Sequence, residues 1–159
     1  MNKFYKVSLE QYIKDGGSHE NWNDIKIPCV ATSNSAGHDF YSPFDFYLNA
    51  GETIKIPTGI KAELDSDKVL LILPRSSLGF KYRLQLDNTV GVIDSDYYNN
   101  KDNEGHIFIK ITNDNYNNKQ LAIKKGEAIA QGLIVQFFVA NGSESENVRE
   151  GGIGSTNGK

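Results

Sequence analysis

The segment Asn88 to Tyr97, reading NTVGVIDSDY, carries two carboxylates, Asp94 and Asp96, directly behind the apolar residues Val90, Val92 and Ile93. Apolar side chains that press into a core leave the following carboxylates at a strand edge. There an ionised carboxylate can take a proton from a water or face the hydration shell of a metal. Asp94 is the candidate base. The plainer use of aspartates two residues apart is to cap a turn. A second segment, Pro74-Arg75-Ser76-Ser77-Leu78-Gly79, follows the apolar run Val69 to Leu73. Arg75 offers a planar fork of donors suited to phosphate, and Ser76 and Ser77 add hydroxyls without adding charge. A third, Gly151-Gly152-Ile153-Gly154-Ser155-Thr156, sets three glycines beside two hydroxyl residues, which lets main chain approach a phosphate chain closely. It is no Walker A loop, because no Gly-Lys-Ser/Thr stands at the required spacing. A fourth, Ala36 to Ser42 (AGHDFYS), places Gly37 near Asp39. His38 is one of three histidines, and none shares a metal-ligand spacing with another.

These segments need a scaffold. Short β-prone runs at Thr53 to Ile56, Lys68 to Leu73, Thr89 to Ile93, His106 to Thr112, Gln120 to Ile123 and Ala128 to Val139 are separated by Gly, Pro, Asn and Asp clusters. That rhythm predicts an all-β sandwich or barrel. The continuous run Val69 to Leu73 suits a strand covered on both faces, in a double-sheet jelly roll or at a subunit interface. Ser8 with Gln11 three residues later predicts a capping box, followed by a short helix with Leu9, Tyr12 and Ile13 on its apolar face and an end near Gly16. Residues 98–105 (YNNKDNEG) read as a solvated loop rich in turn formers. Residues 141–159 have almost nothing to bury and read as a mobile arm. The predicted organisation is one domain over 1–140, with 1–26 as an extension of unassigned role, and an arm over 141–159.

The 159 residues amount to a single domain's length, and 17 basic against 20 acidic side chains give a net charge of −3. No broad field draws the chain toward nucleic acid or a membrane, so a polyanion would have to be gripped locally. A hydrophobic fraction of 38% predicts a small core that gains from oligomerisation. Cys29 is the only cysteine; it can form no intrachain disulfide and is expected to be a buried thiol. The first residues carry no long apolar run, which predicts no secretory leader and a cytoplasmic protein.

Taken together and in order, the four segments and Gly126-Glu127-Ala128-Ile129-Ala130-Gln131 resemble the five motifs of the trimeric dUTPases, over roughly residues 27–159. The resemblance implies a jelly-roll (β-clip) subunit, a homotrimer with three shared active sites, Mg²⁺ as cofactor, and hydrolysis of dUTP to dUMP and pyrophosphate. It matches Asp94 to the base that activates water against the α-phosphorus, and Tyr97 to the ring that packs under the deoxyribose and bars a 2′-hydroxyl. Asn88, Gly91 and Ile93 match the hairpin whose main chain pairs with uracil. Arg75, Ser76 and Gln131 match phosphate contacts, Ser77 and Arg149 are further candidate substrate contacts, and Asp39 matches the acid near the Mg²⁺ hydration shell. Ile153, Gly154, Ser155 and Thr156 match the arm that closes over the triphosphate.

Five departures stand out. Ile153 replaces an aromatic that would stack on the base, Ala128 a common arginine, and Ser77 a usual glycine, while residues 98–105 are inserted. Arg149 also lies one residue closer to the glycine pair than in many members. Two other readings stay open: an enzyme similar to the dCTP deaminases, which also carry Arg-Ser-Ser, and a nucleotide-sensing module with a protein partner. Asp94-Ser95-Asp96-Tyr97 speaks against the first; the insertion, the extension, Ala128 and Ile153 motivate the second.

Overall fold

The computed structural model describes residues 1–143, 145, 147, 149 and 151–153. In chain order its strands are β1 (Lys3–Lys6), β2 (Cys29–Val30), β3 (His38–Tyr41), β4 (Phe46–Leu48), β5 (Thr53–Pro57) and β6 (Ile60–Glu63). They continue with β7 (Lys68–Pro74), β8 (Leu84–Leu86), β9 (Gly91–Ile93), β10 (Phe108–Asn113), β11 (Leu121–Ile123) and β12 (Ala128–Gln136). Helices α1 (Leu9–Lys14), α2 (His19–Asn23) and α3 (Ser76–Tyr82) are short, and Ser95–Tyr97 forms one 3-10 turn. No helix among the described residues is long and apolar enough to cross a membrane.

The fold is the expected all-β jelly-roll type. One sheet runs β2-β3-β12-β7-β9, a second β5-β10-β8, and two pairs, β1-β6 and β11-β4, complete the body. Every described pairing is antiparallel. In β10 the buried residues Ile109, Ile111 and Asn113 alternate with the outward Lys110, the period of two that one covered face requires. Phe40, Leu70 and Ile72 of the first sheet share one core cluster with Ile56, Leu84, Leu86, Ile109 and Ile111 of the second. Each such side chain contributes about 1.5–3 kcal/mol when fully buried.

The extension belongs to this body. Phe4 of β1 pairs with Ala62 of β6 and meets Phe40 edge-on, at 5.7 Å between ring centroids. Val7 and Tyr12 are buried, and Trp22 donates its indole N–H to the Val7 carbonyl at 3.0 Å.

Several expectations need correction. Cys29 is exposed, because it lies on a two-residue edge strand, where its Sγ meets the Tyr41 hydroxyl at 3.1 Å. Ile13 is also exposed: α1 turns Gln11 and Tyr12 inward instead. Only half of the capping box forms. Gln11 N–H donates to Ser8 Oγ at 3.1 Å, while Ser8 N–H goes to Glu104 at 3.1 Å. Strand β9 starts at Gly91 rather than Thr89, whose φ of 65° belongs to the preceding turn. Strand β10 starts at Phe108 rather than His106, which is drawn into the core. Strand β12 ends at Gln136, leaving Phe137 to Val139 exposed.

Candidate active site

Strands β7 and β9 build the floor of a cavity of about 510 Å³. Gly91 sits opposite Ile72 so closely that a Cβ there would lie 3.0 Å from that side chain, which lets the hairpin backbone lie flat against the sheet. Asn88, Gly91, Ile93, Asp94, Tyr97, Arg149 and Ile153 all line the cavity, so the structure brings together every candidate of the base and sugar group. Asp94 ends β9 with its side chain half exposed. The guanidinium of Arg149 spans both carboxylates of the motif, donating from Nη2 to Asp94 Oδ2 and from Nε to Asp96 Oδ1, each at 2.7 Å. It lies 5.7 Å from the centre of the Tyr97 ring.

Tyr97 is buried and its hydroxyl is used twice. It donates to the His106 carbonyl at 3.0 Å and accepts from Asn103 Nδ2 at 2.8 Å. Burial pushes its ionisation above the usual tyrosine range, so the phenol stays neutral and serves as a wall.

A second group gathers at the other end of the large sheet. Gln131 of β12 stands opposite both Asp39 of β3 and Leu73 of β7, and its amide donates to the Pro74 carbonyl at 3.1 Å. Arg75 pairs with Asp39 at 3.2 Å. Ser76 and Ser77 open α3 and are exposed. Arg75 and Ser77 face a separate cleft of about 340 Å³. Ile93 pairs with Leu70, so Asp94 reaches the level of Val69, six residues short of Arg75, or about 20 Å at the rise of a strand. Within one chain the two groups therefore do not meet. Gly154, Ser155 and Thr156 lie outside the described residues.

The sequence reading missed part of the cavity wall. Lys55 and Lys110 face each other across β5 and β10 and line the pocket with Phe108 and Asp87. Lys55 Nζ lies 4.1 Å from the centre of the Phe108 ring, and Lys110 binds Asp87 at 2.8 Å. That bond, with one from Thr112, holds the Asp87 carboxyl below its usual range. The signal was present: Ile-Lys-Ile recurs at 54–56 and 109–111, a period that sends both lysines to one face. Among the described residues no three His, Cys, Asp or Glu side chains form a metal cluster. A cation here would be carried chiefly by ligand oxygens and its own waters, as Mg²⁺ prefers.

The chain is similar to known proteins in sequence and in fold. The dUTPase family model matches residues 23–157. The deoxyuridine 5′-triphosphate nucleotidohydrolase of Lactococcus lactis is 44% identical over 134 residues, covering 83% of this chain and 88% of the relative. The crystal structure of the Streptococcus mutans dUTPase is 34% identical with a TM-score of 0.70, and covers 88% of this chain and 99% of that one. A mutant dUTPase from phage phi11 of S. aureus, described as coordinating a structural Mg(II) ion, shares the fold at 19% identity. Its TM-score is 0.66, with 92% of this chain and 97% of that one covered. With its motifs gathered on one jelly roll and most of its length matched, the chain belongs to the dUTPase family.

Proposed function

We propose that the chain hydrolyses dUTP to dUMP and pyrophosphate, with Asp94 as the general base. The observation that carries this reading is the joint presence of Asp94, Tyr97, Arg149 and the Asn88–Ile93 hairpin around one cavity. The half-exposed Asp94 carboxylate takes a proton from a water, and the water oxygen attacks the α-phosphorus. The bond from that phosphorus to the bridging oxygen breaks, and pyrophosphate leaves. Main-chain groups of the hairpin read the uracil edge, while the neutral Tyr97 ring fills the space of a 2′-hydroxyl and gives it no partner. Arg149, which spans Asp94 and Asp96 here, moves its charge onto the phosphates when substrate enters. Ile153 covers the base with apolar surface in place of a stacked ring.

Magnesium would fit a site without a protein cage, where, bound with the triphosphate, it would supply charge neutralisation on the phosphate oxygens. Asp39 would face that hydration shell, and Arg75, Ser76, Ser77 and Gln131 would hold the phosphates. Because that group lies about 20 Å along the sheet from Asp94, a complete site requires more than one copy. A homotrimer with shared sites satisfies this, and the half-buried Leu71, Leu73, Leu133 and Val135 offer apolar surface for contact.

The test is a competition among dUTP, UTP, dCTP and dTTP with Mg²⁺. Pyrophosphate released from dUTP far faster than from the others supports base, sugar and reaction type together. Ammonia from dCTP would instead point to a deaminase, and tight dUTP binding without turnover to a sensor. Roles in limiting uracil in DNA and in supplying dUMP for dTMP synthesis follow if dUTP is the substrate.

A further inference from the structure

Residues 98–105, whose composition promised a solvated loop, are held by many side-chain hydrogen bonds. Asn100 is buried, and its amide donates to the Tyr97 carbonyl and to Asn103 Oδ1, each at 2.8 Å, while its oxygen accepts from the Asp102 and Asn103 N–H groups at 3.0 and 3.2 Å. Asn103 Oδ1 also accepts from Gly105 N–H at 3.1 Å. Gly105 closes the loop at φ 81°, where a Cβ would lie 2.6 Å from the Tyr97 carbonyl oxygen. The loop is clamped from outside as well. Glu104 takes the Ser8 hydroxyl and Lys61, and the Asp102 carbonyl takes Lys14 at 3.1 Å. A loop tied down in this way can set the place of whatever it touches on its inner side. There it makes two contacts with the site: Asn103 Nδ2 donates to the Tyr97 hydroxyl at 2.8 Å, and Asp102 Oδ2 accepts from Gly152 N–H of the arm at 2.9 Å.

We propose that Asn103 and Asp102 are positioning residues for the reaction. Asn103 fixes the phenol that forms the sugar wall, and Asp102 seats the covering arm at Gly152. The inserted loop thereby sets both discrimination against ribonucleotides and the seat of Gly152 beside the cavity. This rests on the dUTP reading above, and it adds residues outside the motifs of that reading.

The experiment measures kcat and KM for dUTP and UTP in the full-length chain with Mg²⁺, for wild type, Asn103→Ala, Tyr97→Phe and the double variant. Loss of one hydrogen bond on the wall lowers the dUTP-over-UTP ratio of kcat/KM by about tenfold in Asn103→Ala. Tyr97→Phe, which removes this bond and the one to the His106 carbonyl, gives at least that drop, and the double variant drops no further than Tyr97→Phe, because the Asn103 bond is already lost there. Should the alanine chain fail to fold, Asn103→Asp keeps the acceptor for Gly105, removes the donated N–H, and carries the same expectation. Asp102→Ala raises KM for both nucleotides about fivefold without moving the ratio, the loss of one arm contact. Asp102→Asn, which keeps a carbonyl oxygen, restores the wild-type KM. A purely structural loop would lower the melting temperature and both activities alike. A ratio unmoved in the folded Asn103 variant, or additive losses in the double variant, overturns the proposal. Wild-type protein that releases no pyrophosphate from dUTP overturns the functional reading and this inference together; an active wild type with unmoved ratios overturns this inference alone.

Discussion

The two sides of the cavity are built by different physics. Its floor and outer wall, β9 with β5 and β10, owe their places to alternation: Ile56, Ile109 and Ile111 go inward, and Lys55, Lys110 and Asp94 are carried to the rim as a consequence. Its other side, around Tyr97, is held by polar side chains from residues 98–105 and from the N-terminal extension. A strand-built wall tolerates polar change on its outer face and fails when its core is hollowed. A hydrogen-bonded wall should behave the opposite way, losing function with little loss of apolar burial.

The largest effect belongs to the rim of the strand wall. Asp94→Asn keeps the shape and removes the proposed base, so turnover should fall by about 10²–10⁴-fold, with little change in melting temperature, in a pyrophosphate assay. Next comes the core beneath it. Ile109→Ala should cost about 2–5 kcal/mol in a urea titration, because a fully buried isoleucine leaves a cavity between the sheets.

On the polar side the expected changes are smaller and depend on pH. His106 is fully buried, with Nε2 accepting from Gly59 N–H at 2.8 Å and Nδ1 2.6 Å from Asp15 Oδ2. Burial lowers its ionisation below the ordinary 6.5 and outweighs the opposing pull of Asp15. The folded state thus favours the neutral ring. The stability this gives is fully present above pH 6.5 and is lost as pH falls toward and through the folded value. Urea midpoints taken from about pH 8 down to about pH 5 should show a plateau and then a decline, and His106→Gln should flatten the decline. Nearby, the Tyr12 hydroxyl is buried without a hydrogen-bond partner among the described residues, and burial raises its pKa to about 12. Tyr12→Phe should therefore stabilise the chain by about 1 kcal/mol, again by urea titration. Smallest of all, Lys124→Ala breaks an exposed pair with Asp45 and should shift stability by less than about 1 kcal/mol.

The same contrast explains what could be read in advance. Runs of β-prone residues between turn formers exposed most of the strands. Asp94 does stand at an edge, but Val92, expected to press into the core, is exposed, because β9 alternates and turns Val92 and Asp94 to the same outer face. The joint order of the motifs identified the family. Cys29 and Ile13 misled, since an edge strand and a six-residue helix have more polar surroundings than their residue types suggest. The loop at 98–105 was illegible for another reason. Asparagines that hydrogen-bond one another and asparagines that face water are the same letters, and only the fold decides which is present. Short strands such as β1 and β6, paired across more than fifty residues, give no local signal of that pairing.

Catalysis as proposed turns on a water, freed of its proton by Asp94, striking the α-phosphorus. Turnover of dUTP in water enriched with heavy oxygen, followed by mass analysis of both products, tests this directly. The label should appear in dUMP and be absent from pyrophosphate. Label in the pyrophosphate, or wild-type turnover by Asp94→Asn, would contradict it.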